Sequence, residues 1–368
     1  MSSPVTTPMQ SFVLTGLSTV VGVLFLTVAG KITDKVGQSL MPDASASIVT
    51  DSSSTDSISS SLVASVKHTK SIEVTSVTEE PTTMVASQNM HDSALNSGIE
   101  LPLHDDFFEW DMTFLDEGNP VTHSRGPKLH SRSAIIVDLD SGEILYEKSA
   151  DTRRPAASVT KVLASLTLAN KDVDLDAEVC TDHRIRTGIS GAVTRVKVGA
   201  CATGWDFMGA ALVSSDNGAA FAFPMIADEE LFMFTHDMNQ LALDLGMNQS
   251  EFVDPAGIYD GNISTARDLT RASIAAAFHP VVSIPGSAKQ WAAQIGDETK
   301  HYVTTNKTAG RVNFLLAKTG FTNTARANFT GVYQDRNGRR IAFTIMGAWN
   351  TSRRTKDMNR VIDWVRQH

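Results

Sequence analysis

Cysteine and metal-binding patterns are scarce in this chain of 368 residues. It contains two cysteines and ten scattered histidines, and no C-x-x-C or H-E-x-x-H pattern occurs. A zinc-type site needs several such ligands at short spacing. We therefore predict neither a metal nor another cofactor. The sequence also has no internal repeat, which excludes a solenoid or another array of repeated units.

An excess of positive charge is also lacking. Residues 1–126 carry 5 basic and 15 acidic side chains, a net charge of −10, whereas residues 127–368 carry 27 basic and 26 acidic side chains, a net charge of +1. The acidity therefore belongs to the N-terminal part. The near-neutral remainder does not suggest nucleic acid as a partner, and it is long enough for one substantial core with a small subdomain.

The N-terminal part divides into two segments. Residues 12–30 are uncharged and largely apolar, just long enough to cross a bilayer as a helix. Residues 1–36 are thus either a cleaved signal peptide or a retained membrane anchor, and the absence of Lys or Arg before the apolar run favours the anchor. Residues 37–126 are predicted to be a disordered acidic linker, because more than a third of positions 37–100 are Ser or Thr.

Residues 127–368 have the pattern of an α/β (α+β) domain with a mainly antiparallel sheet flanked by helices. The predicted strands are 133–138, 143–146, 314–318, 327–334 and 340–347, and the predicted helices begin after Pro155 and cover 205–213, 229–245 and 356–366. Cys180 and Cys201 lie in β-like stretches at 177–181 and 195–201. If these stretches pair, a disulfide is feasible in an exported chain; two unrelated buried thiols are the alternative.

Three short motifs follow one another in the domain: Ser158-Val159-Thr160-Lys161, Ser215-Asp216-Asn217 and Lys318-Thr319-Gly320. The first is the only S-x-x-K of the chain and the last is its only K-T-G. S-x-N occurs once more, at 87–89, within the low-complexity stretch. All three in this order resemble the signature of serine enzymes that acylate on D-Ala-D-Ala peptides or β-lactams.

The spacing of the first motif has a chemical reason. A serine hydroxyl is a weak nucleophile at neutral pH and needs an adjacent base. Residues i and i+3 share a face of a helix, so Ser158 is expected beside the Lys161 amine. Burial and a second cation, for which Lys318 is the candidate, would both lower the pKa of that amine. A helix N-terminus at Ser158 would also favour developing negative charge.

Residues 131–368 resemble the low-molecular-mass penicillin-binding proteins, which are serine-type D-alanyl-D-alanine carboxypeptidases and endopeptidases. Besides the motifs, the resemblance is carried by the hairpin at 137–146 and by residues 155–161, 254–257, 264–269 and 317–322. It implies a penicillin-binding-protein/β-lactamase-like transpeptidase fold with a small helical subdomain. It also implies action on peptidoglycan stem peptides ending in D-Ala-D-Ala and binding of β-lactam antibiotics. The expected location is periplasmic or cell-envelope, either tethered to the cytoplasmic membrane or secreted if the N-terminal segment is cleaved.

The resemblance implies roles for the residues of the first two motifs. Ser158 corresponds to the serine that is acylated, and Lys161 to the lysine that accepts its proton. Ser215 and Asn217 line the opposite wall, where they relay protons and bind the substrate amide. The backbone N–H groups of Ser158 and Phe321 correspond to the oxyanion hole.

The third motif and a C-terminal arginine are expected to bind the end of the substrate. Lys318 and Thr319, followed by Gly320, correspond to the strand edge that meets the terminal carboxylate. The family also uses an arginine on its last strand-to-helix turn. Counting from both flanking elements places this residue at Arg354, with Arg353 as the alternative.

One position departs from the family pattern. After Thr322 the family usually runs to Ala-Gly, whereas here Ala325 is followed by Arg326. A bulky cation beside the active-site edge could alter substrate choice or narrow the cleft. Two rival functions remain: a class A β-lactamase, disfavoured because no E-x-x-L-N lies between the second and third motifs, and a catalytically weak penicillin-binding receptor or scaffold of the cell wall.

Residues 101–118 mix acidic with aromatic side chains and allow two interpretations. The segment either folds back and fills a groove on the domain, or it is a docking peptide for a cell-wall protein, bound through its aromatic residues.

Overall fold

The computed structural model describes residues 112–116, 118–186 and 194–368. The predictions for residues 1–36, for most of the linker and for residues 101–111 lie outside this part of the chain. Within it, none of the helices combines the length and the apolar character needed to cross a bilayer.

A five-stranded antiparallel sheet forms the centre of the domain, in the strand order β2-β1-β11-β10-β9. Three two-stranded sheets, β3-β6, β4-β5 and β7-β8, accompany it in the described part of the chain. The strands of all four sheets are β1 Ser133–Asp138, β2 Glu143–Lys148, β3 Arg154–Pro155, β4 Glu178–Cys180, β5 Cys201–Thr203, β6 Ile263–Ser264, β7 Gln290–Ile295, β8 Glu298–Val303, β9 Asn313–Thr322, β10 Arg326–Gln334 and β11 Arg340–Ala348. All five strands of the central sheet were predicted from the sequence. The hairpin of β7 and β8 was not, and β9 runs four residues beyond the predicted end at 318.

Helices cover both faces of the sheet. They are α1 Thr160–Ala169, α2 Gly204–Val213, α3 Asn217–Phe221, α4 Phe223–Ile226, α5 Leu231–Asp244, α6 Ala266–Phe278, α7 Pro280–Ser287 and α8 Thr351–Val365. Successive side chains of a strand point to opposite faces, so Ile135 joins the core cluster on the α6 side and Ile136 the cluster on the α8 side. Every residue of β1 is therefore buried.

The last helix begins five residues before the predicted start at 356. Asn350 is its N-cap residue, and its side chain accepts a hydrogen bond from the backbone N–H of Arg353 at 2.9 Å. This cap brings Arg354 onto the first turn of α8, directly after β11.

The packed part of the chain begins by Met112, whereas the sequence placed the domain boundary at 127. Leu115 is fully buried, and Arg271 of α6 donates to the backbone carbonyl of Met112 and to the Asp116 carboxylate. Val121 pairs with Ile144 of β2. Residues 112–116 and 118–126, which the sequence placed in the linker, therefore include contacts with the domain despite their low content of regular structure.

The two cysteines face each other across a short hairpin. Cys180 of β4 pairs directly with Cys201 of β5, and their Sγ atoms are bonded. The pairing of the two stretches agrees with the sequence expectation, although β5 begins at Cys201 rather than at 195.

Replacing both Cys180 and Cys201 by serine should lower the free energy of unfolding by about 3 kcal/mol, because the bond restricts the unfolded chain. The two residues are 21 positions apart in sequence. Urea unfolding of the oxidised protein and of the double variant measures the difference. Reduced wild-type protein should unfold like the variant, and equal stability of all three samples would show that the bond does not constrain the unfolded state.

Candidate active site

The first motif places its serine and lysine in direct contact. Ser158 lies in the 3-10 turn Ala157–Val159, which runs into α1, and Lys161 lies in the first turn of that helix. The Lys161 Nζ atom donates to Ser158 Oγ at 3.1 Å. Ala157, just before the serine, has a left-handed φ of 52°. This conformation is unfavourable in free energy for any residue with a Cβ, and it recurs at functional sites.

Three oxygen atoms surround the Lys161 amine. Besides Ser158 Oγ, it donates to Asn217 Oδ1 at 2.8 Å and to the Ala256 carbonyl at 2.6 Å. The side chain is fully buried. Burial lowers the pKa of Lys161 to about 7, although the carboxylates of Asp254 and Asp216 oppose this shift. A lysine with this pKa is partly neutral at neutral pH and can accept a proton.

The loop that supplies the Ala256 carbonyl is held by one carboxylate. Asp254 accepts hydrogen bonds from the backbone N–H groups of Ala256 at 2.7 Å and Gly257 at 2.6 Å. Gly257 has φ 71°, and a Cβ there would lie 1.9 Å from the carbonyl oxygen of Ala157. Only glycine permits this close approach. The sequence singled out this stretch by its resemblance alone and gave its residues no role.

The second motif forms the wall opposite Ser158. Asp216 caps α3 by accepting from the backbone N–H of Ala219 at 3.1 Å, and it also accepts from the backbone N–H of Arg195 at 2.6 Å. These contacts fix the residues on either side of it. Ser215 has a left-handed φ of 65°, and Asn217 begins α3 and contacts Lys161.

The third motif lies on β9, at the edge of the central sheet. Lys318 is 1% exposed and donates to Ser215 Oγ at 2.9 Å and to the Thr319 carbonyl at 2.9 Å. Its pKa lies well below the usual lysine range because of burial and then the charges of Lys161 and Arg354. The sequence predicted that the positive charge of Lys318 lowers the pKa of Lys161. In the structure burial dominates the shift at Lys161, and the repulsion between the two lysines contributes to the shift at Lys318.

Gly320 brings the edge strand against the serine. A Cβ at this position would lie 3.1 Å from the backbone nitrogen of Ser158 and equally close to the nitrogen of Val159. This spacing is tighter than side chains normally tolerate, so a larger residue would push β9 away from the Ser158 turn. Phe321 follows directly, and its side chain is 45% exposed.

Arg354 reaches the same strand from α8. Its guanidinium Nη1 donates to the Gly320 carbonyl at 3.3 Å, and the side chain is buried. Burial lowers the pKa of Arg354 to about 10, and its Nε has no hydrogen-bond partner among the described residues. The neighbouring Arg353 is exposed to solvent. Of the two arginines predicted from the sequence, the structure brings Arg354 to the site.

A possible metal-ligand grouping lies away from this site and does not fit a metal. Within the described ranges, Glu178, Cys180 and Cys201 are close enough to share an ion. The two cysteines are joined in a disulfide, and a thiolate is required for metal ligation.

Comparison with known proteins agrees with this arrangement. A family model for D-alanyl-D-alanine carboxypeptidase matches residues 120–350. The D-alanyl-D-alanine endopeptidase of Escherichia coli is 30% identical over 249 residues, covering 67% of this chain and 80% of the relative. The D-alanyl-D-alanine endopeptidase of Pseudomonas aeruginosa is 31% identical over 211 residues, covering 54% of this chain and 65% of the relative.

Solved structures share the fold. The D-alanyl-D-alanine carboxypeptidase of Mycobacterium tuberculosis matches with a TM-score of 0.60 and 26% identity, covering 68% of this chain and 95% of that structure. A Streptomyces DD-transpeptidase matches with a TM-score of 0.61 and 21% identity, covering 66% of this chain and all of that structure. The predicted transpeptidase-type fold is confirmed. The chain belongs to the D-alanyl-D-alanine carboxypeptidase family and is a serine DD-peptidase.

Proposed function

We propose that the enzyme cleaves D-alanyl peptide bonds through an acyl-enzyme on Ser158, with Lys161 as the general base. The contact between Lys161 Nζ and Ser158 Oγ at 3.1 Å carries this proposal. The neutral amine takes the hydroxyl proton while Oγ attacks the carbonyl carbon of the substrate. The resulting ammonium then donates to three oxygen atoms, those of Asn217 and Ala256 among them.

The carbonyl oxygen becomes negatively charged in this step and needs donors. The backbone N–H groups of Ser158 and Phe321 are assigned to it. Gly320 supports this assignment, because it allows β9 to approach the Ser158 backbone closely. Two N–H groups fixed before the reaction stabilise an oxyanion more than mobile water does.

Ser215 and Lys318 are assigned to the leaving group. Lys318 donates to Ser215 Oγ, so the hydroxyl proton of Ser215 is free to point into the cleft. There it can pass to the amine that leaves as the C–N bond breaks, and Lys318 can replace it. The proton that Lys161 took from Ser158 then returns to the Lys318–Ser215 pair, which leaves Lys161 neutral again. Water attacks the acyl-enzyme, Lys161 takes its proton and passes it to Ser158 Oγ as the ester bond breaks, and the shortened peptide and free Ser158 are released.

The substrates are assigned as peptidoglycan stem peptides with a D-alanyl bond. The relatives from Escherichia coli and Pseudomonas aeruginosa are both D-alanyl-D-alanine endopeptidases, so cleavage of peptide cross-links is the reaction we assign first. Digestion of purified muropeptides followed by mass spectrometry tests it. Cross-linked dimers should fall to monomers; release of terminal D-alanine with dimers intact would assign the carboxypeptidase reaction instead.

Arg354 is assigned to the carboxylate beyond the cleaved bond, together with Lys318 and Thr319. A guanidinium can bind a carboxylate through two parallel hydrogen bonds. Arg354→Ala should reduce kcat/KM for a peptide with a free terminal carboxylate by about 1.5–3 kcal/mol in transition-state stabilisation. A C-terminally amidated peptide should lose much less. Equal losses on both peptides would assign Arg354 to positioning β9 through Gly320, and Arg353→Ala is the matched control.

We assign the enzyme to the cell envelope, where its substrate is located. The apolar residues 12–30 support a membrane anchor, and residues 101–111 support docking to a cell-wall protein. The Cys180–Cys201 bond is compatible with an oxidising compartment. Fractionation of cells that produce the full chain, with and without residues 1–36, tests the anchor.

A further inference from the structure

Arg326 occupies a backbone position that suits glycine. It begins β10 with a left-handed φ of 63°, which costs free energy for any residue with a Cβ. A strained conformation kept at the edge of an active site points to a function for the side chain.

The Arg326 guanidinium lies over an exposed aromatic ring. Its Cζ atom is 4.3 Å from the centre of the Trp349 ring, and Trp349 is 54% exposed. Among the described residues, the Arg326 guanidinium has no ion pair and no hydrogen bond. Stacking on an aromatic ring holds a guanidinium in place and leaves its N–H edge free for a ligand.

Strand pairing puts this cation beside the catalytic edge. Arg326 pairs with Thr322 of β9, and the next residue of β10 pairs with Phe321. Trp349 follows the end of β11, where Ala348 pairs with Ala327. The cation is therefore at the end of β9 that follows the K-T-G motif.

The proposed function fixes which part of the substrate reaches this end. Lys318 and Thr319 bind the carboxylate beyond the cleaved bond, and the Phe321 N–H binds the carbonyl of that bond. The acyl side of the substrate therefore continues along β9 towards Thr322. A strand advances about 3.3 Å per residue, so the residue before the acylated D-alanine comes close to Arg326.

We propose that Arg326, held by Trp349, binds a carboxylate on the side chain of the residue before that D-alanine. A diamino diacid such as diaminopimelate carries this carboxylate at the end of its side chain, and lysine carries the amine alone. A second observation fits the paired carboxylate and ammonium groups at the end of such a side chain. Thr324, two residues before Arg326, donates to the exposed Asp260 carboxylate at 2.9 Å, and this acid is available to the accompanying ammonium group. This inference rests on the proposed function and adds specificity to it.

The test compares two stem pentapeptides that differ only by diaminopimelate or lysine at the third position. The measured quantity is the peptide concentration that halves the rate of fluorescent-penicillin labelling, which does not require turnover. Wild-type enzyme should bind the diaminopimelate peptide about tenfold better, the factor for one charged hydrogen bond. Arg326→Gly should reduce this preference to about one, and it should fold because glycine adopts positive φ without penalty.

Matched variants separate the explanations. Trp349→Ala should weaken the preference and Trp349→Phe should retain it, because phenylalanine keeps a ring for stacking. Arg336→Gly, the same substitution in the exposed turn at the other end of β10, should keep the full preference. The inference is overturned if wild-type enzyme shows no preference, or if Arg326→Gly keeps it. Absence of Ser158-dependent penicillin labelling would instead contradict the proposed function.

Discussion

A Ser158→Ala variant should lose hydrolysis of stem peptides and covalent labelling by a fluorescent penicillin. The loss should be about a millionfold, as for other serine enzymes without their nucleophile. Of the described residues, Ser158 has the hydroxyl that Lys161 contacts, and alanine leaves no atom to form the acyl bond. Intact-protein mass spectrometry after incubation with penicillin measures the adduct directly.

Ser165→Ala is the matched control for this variant. Ser165 lies on α1 about one turn beyond the first motif, is fully buried, and its Oγ has no hydrogen-bond partner within the described residues. Removing this hydroxyl should leave labelling and turnover at wild-type rates. A Ser158→Ala protein that forms the penicillin adduct at the wild-type rate would remove Ser158 from the mechanism.

The sequence predicted local contacts of the site from physical spacing and distant ones from resemblance. Ser158 and Lys161 are three residues apart, so helix geometry alone brings them together. Lys318 and Ser215 are 103 residues apart, and no periodicity in the chain relates them. Their contact depends on how β9 packs against the turn before α3, which is a property of the whole fold.

Polar residues inside the domain explain the main errors in element bounds. The predicted strand stopped at Lys318, directly after the apolar run 314–317. In the structure β9 continues through Thr322, since Ser215 binds the lysine and Thr305 shares a hydrogen bond of 2.6 Å with Thr319. Tertiary partners satisfy these polar groups, and a reading of local hydrophobicity does not reveal them.

The environment of Lys161 was only partly predictable for the same reason. Burial was expected to lower the pKa of Lys161 if the side chain is enclosed, and in the structure Lys161 is fully buried. The carbonyl of Ala256 and the opposing carboxylates of Asp254 and Asp216 come from segments far along the chain. The resulting pKa of about 7 is a balance between desolvation and these acids, and each contribution depends on tertiary structure.

The rate of acylation by a penicillin should rise with pH and reach half its maximum near pH 7. Lys161 accepts a proton only in its neutral form, which becomes dominant above its pKa of about 7. Below that pH the ammonium form predominates, and the rate should fall about tenfold for each further pH unit. Second-order labelling rates between about pH 5 and pH 9 measure the profile.

Lys161→Arg should remove this rise together with most of the acylation rate. Arginine keeps the positive charge but cannot lose its proton at these pH values, so Ser158 retains a cationic neighbour without a base. The loss should approach that of Ser158→Ala, because nucleophile and base act as a unit. Lys171→Arg is the control, since Lys171 follows α1 and is held by Glu229 and Asp237; it should label like wild type. A Lys161→Arg protein that acylates at the wild-type rate, or a flat wild-type profile, would show that another group takes the serine proton.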